Sequence, residues 1–131
     1  MVFVDANVVM YLVGAAHPNK VDAQRRLERL VVERSRLVTD AEAMNEILHR
    51  YASLDRRATI QPAFDAMLGV VDEVLPIGRD TAELAKQLVL QYPTLSVRTA
   101  MHVAVMQLNQ IDTALSFDVG FDRVPGITRL R

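Results

Sequence analysis

Short β-prone apolar runs alternate with longer stretches of helical periodicity along the whole 131-residue chain. That alternation favours a parallel sheet covered by helices on both faces. Val2-Phe3-Val4 is the first such run; it ends at Asp5 and leads straight into Asn7 to Val13, apolar enough for a buried helix. From Lys20 to about Arg34, the residues Val21, Leu27, Leu30 and Val31 recur at helical spacing among charges and predict a surface helix. Arg36-Leu37-Val38-Thr39 reads as a second strand. Thr39-Asp40-Ala41-Glu42 has the form in which a hydroxyl and a carboxylate each satisfy a free backbone N–H, so a third helix is expected from here to about Leu54.

A further helix is expected over Ile60 to Val70, followed by a strand candidate, Glu73 to Ile77, whose Pro76 suggests an edge position. Asp80, with Glu83 three residues later, should cap a helix to about Tyr92, and Ser96 should cap a nearly all-apolar helix through Leu108. Ala114 to Phe117 and Ile127 to Leu130 complete the strands. No repeat, low-complexity tract or Pro/Gly-rich linker interrupts this pattern, which fits one domain over residues 1–131.

Composition removes several classes of chemistry. The absence of cysteine excludes disulfides, thiolate metal sites and cysteine nucleophiles. A formal net charge of −1 lacks the basic excess of a protein held to nucleic acid or membrane by bulk electrostatics, although a local patch remains compatible. The apolar runs fall far short of the roughly 20 residues that span a bilayer, and the first residues carry no basic signal-peptide region, so a cytoplasmic protein is expected. Arginine makes up 13 of the 15 basic residues, which suits phosphate contacts but is equally explained by compositional bias.

In an open parallel sheet the ligand crevice lies beyond the carboxyl ends of the strands. Asp5 and Asp118 each follow a strand candidate directly, so neighbouring strands would bring both carboxylates to one mouth. Each could simply cap the segment that follows it. Together, in a partly buried place, they would repel unless a cation lay between them. With oxygen donors and no His/Cys set at zinc spacing, that cation would be Mg²⁺ or Mn²⁺.

Four segments carry a family resemblance: Val2-Phe3-Val4-Asp5-Ala6-Asn7, Asn45-Glu46-Ile47-Leu48, Leu95 to His102, and Leu115-Ser116-Phe117-Asp118-Val119-Gly120-Phe121-Asp122 with the Arg-Val-Pro-Gly that follows. In order and spacing the chain resembles PIN domains, and among them the VapC toxins of prokaryotic toxin–antitoxin pairs. The resemblance implies a three-layer α/β fold and a Mg²⁺-dependent ribonuclease, with Mn²⁺ as a substitute, that leaves 5′-phosphate and 3′-hydroxyl ends. It further implies a homodimer neutralised by a VapB-type antitoxin, an arginine of which would pair with the acidic cleft. Carried over by position, Asp5, Glu46, Asp118 and Asp122 are the metal-holding and catalytic carboxylates. Arg98-Thr99-Ala100-Met101-His102 resembles the family's Arg-Asp-Ala-x-His stretch, but Thr99 stands where the family has an aspartate. A hydroxyl brings no formal charge, so weaker metal binding and impaired cleavage follow from the resemblance. Natural divergence, a deliberate inactivating change, or a change selected because the intact toxin harms its expression host would each account for it.

The remaining residues have plainer readings beside these. At 100° per residue Met44, Leu48 and Tyr51 define the core face of the third helix and Glu46 points away, compatible with a solvated Glu46–Arg50 pair or with a cleft. Asn7 could cap the first helix or orient Asp5. Arg98 could meet substrate phosphate or pair with Asp118 or Glu46, and His102 reads best as a hydrogen-bonded buried histidine. Arg25, Arg26, Arg29, Arg34 and Arg36 form a basic concentration, either a solvated face or an RNA backbone contact. Two other functions fit parts of the pattern. One is a catalytically silent PIN-fold binding protein that keeps the antitoxin interface. The other is a phosphatase with Asp5 as nucleophile, for which Val4-Asp5-Ala6-Asn7 lacks a second aspartate two residues on and no downstream lysine motif matches.

Overall fold

The computed structural model describes residues 1–130. Five short strands, β1 (Val2–Val4), β2 (Leu37–Asp40), β3 (Glu73–Leu75), β4 (Thr113–Leu115) and β5 (Thr128–Leu130), form one parallel sheet in the order β3-β2-β1-β4-β5. The helices are α1 (Ala6–Val13), α2 (Pro18–Val32), α3 (Ala41–Ser53), α4 (Ile60–Val70), α5 (Arg79–Gln91) and α6 (Val97–Leu108), with short 3₁₀ turns at Arg57–Thr59 and Val119–Arg123.

The central strand shows why the sheet is closed on both faces. Val2, Phe3 and Val4 are all buried, Val2 and Val4 in a cluster with α1 to α4 and Phe3 in a second cluster with α5 and α6. Successive side chains point to opposite faces, so an inner parallel strand must be apolar at every position. The chain builds outward from β1 through β2 to β3, then returns across the sheet to place β4 on the other side of β1. The direction of build therefore reverses between β1 and β4, where α/β sheets hold their ligands. As Pro76 suggested, β3 lies at an edge and stops before the proline.

Several local expectations are corrected. Thr39 does not cap α3: it is the third residue of β2, fully buried, and its hydroxyl donates to the Val4 carbonyl at 2.7 Å. Asp40 caps the helix instead, accepting from the Ala43 N–H at 2.8 Å. Asp80 lies inside the first turn of α5, whose N-cap is Gly78, with the Thr81 hydroxyl accepting from the Gly78 N–H at 3.3 Å. The core face of α3 is Ala43, Ile47 and Tyr51, a perfect i, i+4, i+8 stripe that leaves Leu48 43 % exposed. On α2 the buried stripe is Ala23, Leu27 and Leu30, while Val21 and Val31 face outward. The Ser96 cap on α6 is as expected, accepting from the Thr99 N–H at 3.1 Å. Among the described residues no helix is long and apolar enough to cross a membrane.

Candidate active site

The carboxyl ends of β1, β2 and β4 each release an acidic side chain into one region. Asp5 follows β1 directly and is 4 % exposed. Its Oδ1 accepts from the Ala6 N–H at 2.7 Å, which makes Asp5 the N-cap of α1. Its Oδ2 accepts from the Ser116 hydroxyl at 2.6 Å and from the Asn7 amide at 3.4 Å. Capping and orientation by Asn7, alternatives in the sequence, thus divide between two residues: Asp5 caps, and Asn7 bonds to Asp5. The Asn7 carbonyl oxygen also accepts from the Phe117 N–H at 3.3 Å, tying α1 to the chain after β4.

Asp118 lies three residues beyond β4, half-buried, where the Ser116 hydroxyl accepts from its N–H at 2.9 Å. One hydroxyl therefore links the Asp5 carboxylate to the backbone that carries Asp118. The Asp118 carboxylate accepts from the Gly120 N–H at 2.9 Å through Oδ1 and from the Thr99 hydroxyl at 2.6 Å through Oδ2. Thr99 is itself buried and accepts at Oγ1 from the Ser96 hydroxyl at 2.9 Å. Ser96, Thr99 and Asp118 thus form a directed chain of hydrogen bonds, with Thr99 giving its one proton to the carboxylate.

Glu46 projects from the second turn of α3 into the same cleft, not toward Arg50. Its Oε1 lies 2.7 Å from His102 Nε2 and 3.6 Å from Arg98 Nε. His102 is fully buried on α6, and its Nδ1 lies 2.7 Å from Asp40 Oδ2. Both ring partners are carboxyl groups, an arrangement that favours the charged form of the ring. Burial pulls its pKa down, but the hydrogen bonds and charges of Asp40, Glu46 and the nearby Asp5 outweigh that and hold it well above the usual 6.5. Burial likewise raises the Glu46 carboxyl above its ordinary 4.5, with Asp5 adding to the rise and His102 and Arg98 opposing it. Phe3 lies 4.9 Å and Phe121 6.3 Å from the His102 ring, centroid to centroid, and fix its plane.

Asp5, Glu46 and His102 can each offer a ligand atom to one metal ion, with those atoms all within 4.8 Å of one another. They line a cleft of about 790 Å³ together with Asn7, Arg98, Thr99 and Asp118. Asp122 does not join this lining: its side chain is 53 % exposed and makes a two-pronged bond to Arg129 of β5, 3.0 Å at each prong. Asp40 and Ser116 were not anticipated. Asp40 is the last residue of β2; it stands directly after the expected strand, Arg36 to Thr39, where the sequence reads only as a helix start. Ser116 carries no sequence signal beyond its place between β4 and Asp118. Of the arginines on and after α2, Arg29 pairs with Glu33 and Arg36 with Glu73. Arg25, Arg26 and Arg29 also border a separate depression beside Phe117.

Comparison with known proteins agrees with this architecture. A PIN domain family model matches residues 2–127. Ribonuclease VapC13 of Mycobacterium tuberculosis is 58 % identical over 130 residues, 99 % of each chain. The crystal structure of VapC20 from the same species, a toxin that cleaves the sarcin-ricin loop, superposes with a TM-score of 0.74 at 21 % identity, covering 91 % of each chain. VapBC2 of Rickettsia felis, solved bound to a fragment of promoter DNA, gives a TM-score of 0.77 at 11 % identity over 99 % of this chain and 98 % of that one.

Proposed function

Because the chain belongs to the PIN-domain family, among the VapC ribonucleases, we propose that it is a metal-dependent endoribonuclease toxin restrained by a VapB-type antitoxin. The observation that carries this reading is the convergence of Asp5, Glu46 and Asp118 on one cleft at the β1/β4 reversal. The donor set fits a hard divalent cation: carboxylate oxygens outnumber the imidazole of His102, a hydroxyl stands among them and no thiolate is present, which suits Mg²⁺ with Mn²⁺ as substitute. Asp5, Glu46 and Asp118 would hold the ion. Bound there, it would neutralise charge building on the phosphoryl oxygens and lower the pKa of the attacking water.

The chain's own residues account for the rest. Asn7 and Ser116 fix Asp5 so that its carboxylate faces the cleft in one orientation. Arg98, whose side chain is 64 % exposed, stands at the rim beside Glu46 and would meet the substrate phosphate, a bidentate task suited to guanidinium. Asp122, held by Arg129, supports the turn behind Asp118 rather than the metal. The same acidic mouth would receive a basic side chain of the antitoxin, and a homodimer is the expected assembly.

Thr99 favours a second reading, a PIN-fold protein that binds its antitoxin but cleaves weakly. The Thr99 hydroxyl takes up one Asp118 oxygen and supplies no charge of its own. The test of the nuclease reading is cleavage of a mixed RNA pool with Mg²⁺ or Mn²⁺. Cleavage should require the metal, stop with EDTA and be lost in Asp5→Asn. Cleavage that persists in EDTA or in Asp5→Asn would contradict the assignment.

A further inference from the structure

We propose that Asp40 and His102 form a positioning pair for the metal-holding carboxylates: Asp40 fixes the His102 ring, and the ring holds Glu46 beside Asp5. The inference rests on the reading of the cleft as a metal site and adds how its carboxylates are held. Asp40 is fully buried, and both its oxygens are engaged, Oδ1 by the Ala43 N–H at 2.8 Å and Oδ2 by His102 Nδ1 at 2.7 Å. It has no freedom left to serve the cleft. Its role is inward, as the cap of the helix that carries Glu46 and as the anchor of the ring that reaches Glu46 from the opposite side.

His102 transmits that anchorage. Its Nε2 lies 2.7 Å from Glu46 Oε1 and 3.6 Å from Asp5 Oδ1, so a single N–H sits between two carboxylates from different elements. Glutamate has three rotatable bonds, and an unsupported carboxylate on α3 would sample several positions; donation from a buried ring selects one. Phe3 and Phe121 flank the ring, at 4.9 and 6.3 Å between centroids. His102 thus acts through Glu46, which it holds beside Asp5.

The test is Mn²⁺ affinity, measured by calorimetry on the full chain and on four variants, each checked for a cooperative thermal transition. His102→Leu removes both bonds and should weaken Mn²⁺ binding about tenfold, the usual size for loss of such an outer contact. His102→Gln keeps a donor for Glu46 and should recover part of the loss. Asp40→Ser keeps a helix cap but cannot reach the ring, and should weaken binding several-fold. If His102→Leu does not fold, the other two carry the test. Asp5→Asn is the control for the metal site. Loss of Mn²⁺ in Asp5→Asn but unchanged affinity in His102→Leu and Asp40→Ser would overturn the positioning role and leave the metal site standing. Unchanged affinity in Asp5→Asn would overturn the metal site, and this proposal with it. His102→Gln binding no better than His102→Leu would also overturn it. In a crystal structure of the Mn²⁺-bound chain, His102 Nε2 should stay hydrogen-bonded to Glu46; an Nε2–Mn²⁺ bond would make His102 a ligand and contradict the proposal.

Discussion

Thr99 and His102 lie three residues apart on α6 and act on the cleft's charge differently. Thr99 supplies a hydroxyl where a carboxylate would add negative charge, and spends its proton on Asp118. His102 is buried among Asp5, Asp40 and Glu46, which together favour its charged form. Its raised pKa has a defined consequence for stability. A histidine whose folded pKa exceeds its unfolded value contributes stability that is complete below the unfolded pKa and is lost as pH rises through the folded one. The raised Glu46 carboxyl works in the same direction at lower pH. The chelated protein should therefore lose stability as pH rises from about 6.5, the unfolded value, whereas His102→Leu should be flat across that window. Urea unfolding at a series of pH values measures this, and stability that climbs over the same range would contradict the assignment of charge.

Helix starts show where local rules suffice and where they do not. Ser96 was legible because its hydroxyl has only the first turn of α6 within reach and nothing competes for it as an acceptor. Thr39 was also an expected cap but lies within β2, where the neighbouring strand offers it the Val4 carbonyl. The cap then passes to Asp40, and with it the anchor of His102. A contact spanning 62 residues leaves no periodic trace in the chain, so the Asp40–His102 pair was invisible beforehand. The Ser96 cap gives a direct measurement. Ser96→Ala should cost about 1 kcal/mol of unfolding free energy in urea, and Ser96→Gly only a few tenths; equal stability of Ser96→Ala and the parent would contradict the capping role.

The sheet order is what turns scattered residues into a site. Asp5 and Asp118 were legible as a pair because each follows a strand, Asp5 directly and Asp118 three residues on, and the reversal between β1 and β4 makes those strands neighbours. Glu46 was legible only through the family resemblance, since its helical face alone also fits a solvated ion pair. Asp122 was carried over with the same motif, yet the 3₁₀ turn after Asp118 directs it to Arg129, a partner on β5 that the local sequence does not reveal. The central claim is that this fold assembles a metal-dependent nuclease site in which one carboxylate is replaced by Thr99. The most direct measurement is RNA cleavage by the chain and by Thr99→Asp, side by side with Mg²⁺ and with EDTA. The account predicts that Thr99→Asp cuts about tenfold faster than the parent or more, at least the size of effect known for groups that merely support metal ligands, and that EDTA abolishes cleavage by both. A Thr99→Asp protein no faster than the parent, or one that cuts without metal, would contradict it.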